Sequence, residues 1–299
     1  MIQRLKLRNS KQTIVLGPKL GEGGTQGLPV VHGTNPGLLI KRYHDDQLPL
    51  DPQLVEKLEF LKLNLPLPSQ AGHDFAVPLD IALDVVTSEP LGYVMQNVDD
   101  AVDIQEIGNA PWLPDAFRYR VLKNSAAALV DLHNVDMFRG DFLNSRVLRD
   151  GTVFEIDNDS LQVGNRFPCG FVKLQFAAPE LLRELDNGTE VCDFPITAEF
   201  DRFAFAVQAY FILTGDHPFR CHYSGSSRRL GKIECMKQGI FPWTGRHDDY
   251  HPPKGGKFEE LHPKLQALFF ECFEVGHSDP MARPSIESWF NAFEALQNA

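Results

Sequence analysis

The residues best suited to chemistry cluster between Leu132 and Ser160 of the 299-residue chain. A helical pattern ends near His133, and Arg139-Gly140-Asp141 then sets a carboxylate on a loop. Asp150-Gly151 marks a hairpin turn, and a second carboxylate, Asp157, follows the short apolar strand Val153-Phe154-Glu155-Ile156. Two carboxylates in this arrangement suit work on a phosphate ester. One orients an attacking hydroxyl, and the other holds the magnesium that bridges nucleotide phosphates. Taken singly, each aspartate reads as a turn or cap residue.

A second candidate group lies near the N-terminus. Gly21, Gly23, Gly24 and Gly27 fall between two predicted strands, where glycine lets backbone amides approach phosphate oxygens closely. An isolated glycine cluster is equally a loose hairpin. Lys41, at the end of the next strand, adds a cation within reach of such phosphates, although a lone lysine there also reads as a surface charge. Glu56 on the following helix is the candidate partner for Lys41, and Glu59 lies one turn further along the same side.

These groups must be positioned by the elements around them. Thr13–Leu16, Leu38–Lys41, Ala76–Ile81 and Leu91–Met95 read as strands. Asp51-Pro52 is an N-cap followed by proline at the first helical position, and Leu54, Val55, Leu58 and Leu61 continue a helical face over residues 52–63. After Val98 the pattern becomes helical. Asp115 opens one predicted helix, and Asp201 caps another over Phe203–Leu213 that is apolar on nearly every face and therefore buried, with Gly215 as its stop. A last helix starts near Pro284.

Composition narrows the classes of function. Apolar residues make up 43% and charged residues 23%, which excludes a disordered chain or a disulfide-stapled miniprotein. Twenty-nine Lys and Arg face 40 Asp and Glu, a net charge of −11, which argues against nucleic-acid or membrane-surface partners. The five cysteines include no CxxC pair, which points away from a structural zinc site and toward a reducing compartment. The N-terminus lacks an apolar signal core, and the longest nearly apolar run, Phe203–Leu213, is too short to span a bilayer. A cytoplasmic protein is expected.

Taken together, the motifs resemble a protein kinase catalytic domain from about Leu16 to Phe293. Gly21, Gly23 and Gly27 are similar to its nucleotide-covering loop, Lys41 to its phosphate-binding lysine and Glu56 to the helix partner of that lysine. Tyr93–Val98 is similar to the adenine-binding hinge, with Met95 as gatekeeper and Gln96 and Val98 beside it. Arg139-Gly140-Asp141 stands where His-Arg-Asp is found, and Asp157-Asn158-Asp159 where Asp-Phe-Gly is found. Ala178-Pro179-Glu180, Asp201, Thr214-Gly215-Asp216-His217-Pro218-Phe219 and Arg283-Pro284-Ser285 match later kinase signatures. The resemblance implies an α+β, bilobal protein-kinase-like fold, with a small antiparallel β-rich N-lobe (residues 1–97) and a larger helical C-lobe (98–299). It further implies ATP and Mg2+ as cofactors, Asp157 and Asp159 as metal ligands, and transfer of a phosphoryl group to a protein Ser/Thr hydroxyl. The metal motif and the Arg-Pro-Ser ending resemble bacterial kinases of the tellurite-resistance-associated triad. Their expected partners are a protein substrate, a cognate phosphatase or a von Willebrand-type protein.

The departures from that pattern carry equal weight. Arg146 stands where a metal-binding asparagine is usual, Leu143 where a phosphate-contacting lysine is usual, and Gly140 where an arginine is usual. Arginine has no acceptor atom and cannot ligate a cation, so Arg146 either contacts a phosphate oxygen or turns out to a surface carboxylate. Asn144 is a candidate metal or phosphate contact. Three readings follow: an active kinase using Lys41, Glu56, Asp141 and Asp157; a pseudokinase acting as a nucleotide-dependent binding module; and a small-molecule kinase of the aminoglycoside phosphotransferase kind. The third does not account for Ala178-Pro179-Glu180, Asp201 and Arg283.

Overall fold

The computed structural model describes residues 4–20, 23, 26–98 and 100–297. The described chain divides into two compact units, one within Met1–Pro66, Phe75–Ala101 and Ile156–Asp159, the other within Leu67–Asp74, Val102–Glu155 and Ser160–Ala299.

Unit one begins with strict alternation: in Arg4-Leu5-Lys6-Leu7 the two leucines are buried and Arg4 is exposed, the period-two pattern of a half-buried strand. This strand, β1 (Arg4–Leu7), is followed by β2 (Thr13–Lys19), β3 (Gly27–His32), β4 (Leu38–Tyr43), helix α1 (Pro52–Asn64), β6 (Asp80–Asp84) and β7 (Pro90–Gln96); β5 (His73–Phe75), between α1 and β6 in sequence, falls mostly in unit two. All strands but β5 form a closed antiparallel barrel in the order β1-β2-β3-β4-β7-β6, because β1 pairs with both β2 and β6. Leu5, Leu7, Ile14, Ile40, Ala82 and Val94 make one core cluster. Neighbouring positions of the opposite parity, Tyr93 and Met95 among them, pack with Val55 and Leu58 of α1 and with Ile156 in a second. Asp51 caps α1 by accepting from the Gln53 amide at 2.8 Å, with Pro52 at the first turn as its sequence predicts.

The closed barrel overturns the expected fold, a bilobal protein-kinase-like α+β fold with a small antiparallel sheet as its N-lobe. The architecture is a six-stranded closed barrel accompanied by helices and small separate sheets. The physical reason is β1. Its alternating charges read as a polar terminus in the sequence, yet its backbone satisfies both sheet edges at once, and closure removes those edges.

Unit two contains β8 (Val102–Asp103), α2 (Ile104–Gly108), α3 (Asp115–His133), β9 (Met137–Phe138), β10 (Ser145–Val147), β11 (Val153–Glu155), β12 (Gln162–Val163), α4 (Pro179–Asp186) and α5 (Ala198–Thr214), with further helices downstream. One small sheet has the order β5-β11-β10-β8, and another pairs β9 with β12. Helix α5 is buried on nearly every face, as predicted, and Gly215 ends it at φ 74° with its amide donating to the Phe211 carbonyl at 2.8 Å. Its N-cap is Thr197, which accepts from the Phe200 amide, so Asp201 lies inside the first turn rather than at the cap. Around α5, Phe203 meets Phe273 edge-on at 5.5 Å and Tyr210 meets Phe269 at 5.4 Å, a dense aromatic core. Cys169, Cys221, Cys235 and Cys272 are buried free thiols, and Cys192 is exposed. Among the described residues, no helix is long and apolar enough to cross a membrane.

Asp80, at the start of β6, ties the β1–β2 connection to the barrel. Its carboxylate accepts from the amides of Asn9 (2.9 Å), Ser10 (3.0 Å) and Ile81 (2.8 Å). Burial pushes its pKa up, but those amides outweigh burial and hold it below the ordinary value. A depressed pKa stabilises the fold above the ordinary carboxylate range, and that contribution fades as pH falls through it. Asp80→Ala should therefore cost about 2 kcal/mol at neutral pH. In thermal melts the gap from wild type should narrow below about pH 4; a gap independent of pH would contradict this account.

Candidate functional site

In unit one, Lys41 lies on β4 opposite Tyr93 of β7, and Tyr43 follows two residues later on the same face of the strand. The Lys41 ammonium is buried. It donates to both oxygens of Asp159 at 2.9 Å and to Oδ1 of Asp157 at 3.1 Å. The Tyr43 hydroxyl donates to Asp159 Oδ2 at 2.5 Å, and the Tyr93 hydroxyl to Oδ1 at 3.0 Å. Asp159 thus receives four hydrogen bonds, which fill the acceptor capacity of a carboxylate. Burial pulls the Lys41 pKa down, but the charges of Asp159 and Asp157 overcome it and hold the amine well above its ordinary value. For Asp159 burial acts upward, and Lys41 together with the two tyrosines holds the carboxyl below its ordinary range. Burial and the neighbouring Asp159 charge push both tyrosine hydroxyls well up. Asp157 differs. Its side chain is 35% exposed, and its backbone adopts φ 56°, a conformation that non-glycine residues rarely hold without a local reason.

In unit two, the loop after β9 carries Asp141. Asp201 holds this loop by accepting from the amides of Arg139 at 2.7 Å and Gly140 at 2.9 Å. Gln208, also on α5, accepts from the Leu143 amide at 3.0 Å and fixes Leu143 at φ 59°. Arg139 pairs with Glu155 at 2.5 Å and donates to the Asn144 carbonyl at 2.8 Å, while Ser145 Oγ donates to Glu155 at 2.7 Å. Asp141 is itself buried. It accepts from the Asn144 side-chain amide and from the Lys173 backbone amide at 3.2 Å, and the Lys173 ammonium lies 3.7 Å from its Oδ1. Burial raises its pKa, and the Lys173 charge, the Asn144 hydrogen bond and Arg139 offset this only in part. A carboxylate with a raised pKa is a better proton acceptor for a hydroxyl.

The remaining predicted residues fall as follows. Gly21 and Gly24 lie outside the described residues. Gly23 has φ +83°, and Gly27 sits in β3, where an added Cβ would meet the Arg42 carbonyl oxygen at 2.6 Å, so strand packing alone accounts for it. Met95 is buried in the core beside α1, Gln96 is exposed and Val98 is half-buried. Glu56 is exposed on α1, and Lys41, for which it was the expected partner, pairs with Asp159 and Asp157. Arg146, on β10, pairs with Asp103 of β8 at 2.7 Å, the outward of its two expected orientations. Asn144 donates to Asp141 and accepts from Lys173, so its amide is engaged at both ends.

Among the described residues, no group of three or more His, Cys, Asp or Glu is placed to hold a metal ion. The donors nonetheless differ in fitness for magnesium. Asp159 is saturated by nitrogen and hydroxyl donors, whereas Asp157 offers a hard, partly exposed carboxylate. No protein-family model matches the sequence, and no curated protein matches it either.

Tyr43, Gln208 and Lys173 escape the sequence reading, which takes Tyr93 only as the first residue of the hinge-like segment and not as a partner of Asp159. Tyr43 was detectable as the i+2 neighbour of Lys41, and Gln208 as the one polar break in an apolar helix. Tyr93 and Lys173 arrive through strand register and chain return, which leave no local mark.

Arg283 is engaged from several sides. Its guanidinium makes a bidentate pair with Glu180 at 2.7 and 2.7 Å, donates to the carbonyls of Gly276 and Glu199, and lies 5.1 Å from the Phe203 ring. Arg283→Ala would leave Glu180 without its partner and two carbonyls without a donor, at a cost of about 3 kcal/mol. Thermal denaturation should show a drop of several degrees; an unchanged melting curve would mean the pair contributes nothing.

Proposed function

We propose that the protein binds ATP with magnesium and transfers its γ-phosphoryl group to a Ser/Thr hydroxyl of a protein. The observation that carries this reading is the buried Lys41 ammonium fixed on a barrel strand between Asp159 and the partly exposed Asp157. A lysine so held is a point charge suited to phosphate oxygens; its three N–H donors are engaged by Asp159 and Asp157, so a phosphate would have to take the place of at least one of those contacts. Asp159 positions Lys41, with Tyr43 and Tyr93 locking the carboxylate in turn. Asp157 is the residue that would hold magnesium, which when bound neutralises charge on the phosphates. Asp141, buried and raised in pKa, would orient and deprotonate the accepting hydroxyl.

One observation favours a second reading, the nucleotide-dependent binding module. Position 146, where a second metal would find an amide oxygen, carries a guanidinium turned to Asp103. Calorimetry with Mg–ATP and transfer of labelled phosphate to the protein or a generic acceptor separate the two. Lys41→Ala should weaken ATP binding about tenfold or more. Asp157→Ala should abolish the dependence of binding on magnesium, and Asp141→Asn should cut transfer by about 100-fold with binding kept. Binding without transfer would select the second reading, and no nucleotide binding with any divalent cation would remove both.

A further inference from the structure

The loop that carries Asp141 lacks a lysine where phosphoryl-transfer loops of the resembling kind place one. Residue 143 is leucine, held by Gln208 in a left-handed conformation. A lysine reaches the same loop from elsewhere in unit two. Lys173 comes from a segment about thirty residues downstream, and both its backbone and its side chain bind this loop. Its amide donates to Asp141 Oδ1 at 3.2 Å. Its ammonium donates to the Phe142 carbonyl at 2.9 Å and to the Asn144 side-chain oxygen, and stands 3.7 Å from Asp141 Oδ1. Its side chain stays 32% exposed, so the charge is fixed without being buried away.

The geometry points to Lys173 as a positioning residue that holds Asp141 and Asn144 in their working arrangement and supplies a positive charge beside them. Asn144 transmits the effect, because one end of its amide meets Asp141 while the other accepts from Lys173. Arg139, the other cation acting on Asp141, is committed to Glu155 at 2.5 Å and to the Asn144 carbonyl. The ammonium gathers three oxygens of residues 141–144 around one charge, so the side chain as well as the backbone of Lys173 acts on this loop.

This inference rests on the phosphotransfer reading, and the experiment keeps the two apart. In the full-length protein, Lys173→Met should lower kcat for phosphate transfer about 10- to 100-fold with KM for ATP nearly unchanged. The acidic limb of the pH–rate profile should move up, as expected when a cation leaves a neighbouring carboxylate. Lys173→Arg should retain much of the rate. Adding Leu143→Lys to Lys173→Met should restore part of it, a rescue that a purely structural role would not give. Carbon-13 NMR titration of the Asp141 carboxyl, in wild type and Lys173→Met, provides a readout independent of turnover. A raised Asp141 titration in the variant supports the inference even if wild type transfers no phosphate, an outcome that would instead sink the phosphotransfer reading. An unmoved titration, or a kcat within twofold of wild type, overturns the inference. If Lys173→Met proves unfolded by thermal melt, Lys173→Gln takes its place in both measurements under the same criteria.

Discussion

A carboxylate inside an apolar helix must have every oxygen hydrogen-bonded, and Asp201 meets that requirement by gripping the loop that carries Asp141. Helix α5 is buried on nearly every face, so the cost of burying Asp201 there is acceptable only if its partners are fixed. Those partners are two consecutive backbone amides, Arg139 and Gly140, together with the ring of His133 at 3.0 Å. Gln208 repeats the device two turns along the helix, where it accepts from the Leu143 amide and donates to Ser125 at 3.3 Å. The two polar side chains convert a rigid aromatic core into a rigid loop. That rigidity is what a carboxylate needs if it is to meet a hydroxyl without reorganisation.

The same logic governs unit one in mirror form. There the buried charge is a cation, and the chain compensates it with carboxylates from the short segment 156–159. Two tyrosine hydroxyls then complete the coordination of Asp159. The outcome is a contrast between two aspartates separated by one residue: Asp159 is buried and receives four hydrogen bonds, whereas Asp157, which also pairs with Lys41, keeps its side chain 35% exposed. Burial, not residue type, separates them.

Substitutions that look like defects in the sequence have local physical accounts. Leucine at 143 brings no charge to Asp141, and Lys173 reaches the same carboxylate from another segment. Arginine at 146 pairs with Asp103 across the small sheet. Asn144 links the Asp141 carboxylate to the Lys173 ammonium, a use for an amide that requires both its donor and its acceptor.

Local chemistry was legible from the residues alone. The α1 cap at Asp51-Pro52 and the buried helix ended by Gly215 declare themselves through spacing or backbone preference, whereas the carboxylates at 141 and 157 and the lysine at 41 gain meaning only in combination. What the sequence left open depends on which distant segments meet. Strand β1 hides its role because a four-residue alternation carries little signal until both sheet edges are present to pair with it. Lys41 meets Asp159 and Asp157 because segment 156–159 packs into unit one, a long-range return that no local pattern encodes. Hydrophobic periodicity reports which face of an element is buried, but not what it is buried against, so tertiary structure alone decided the partners of each charge.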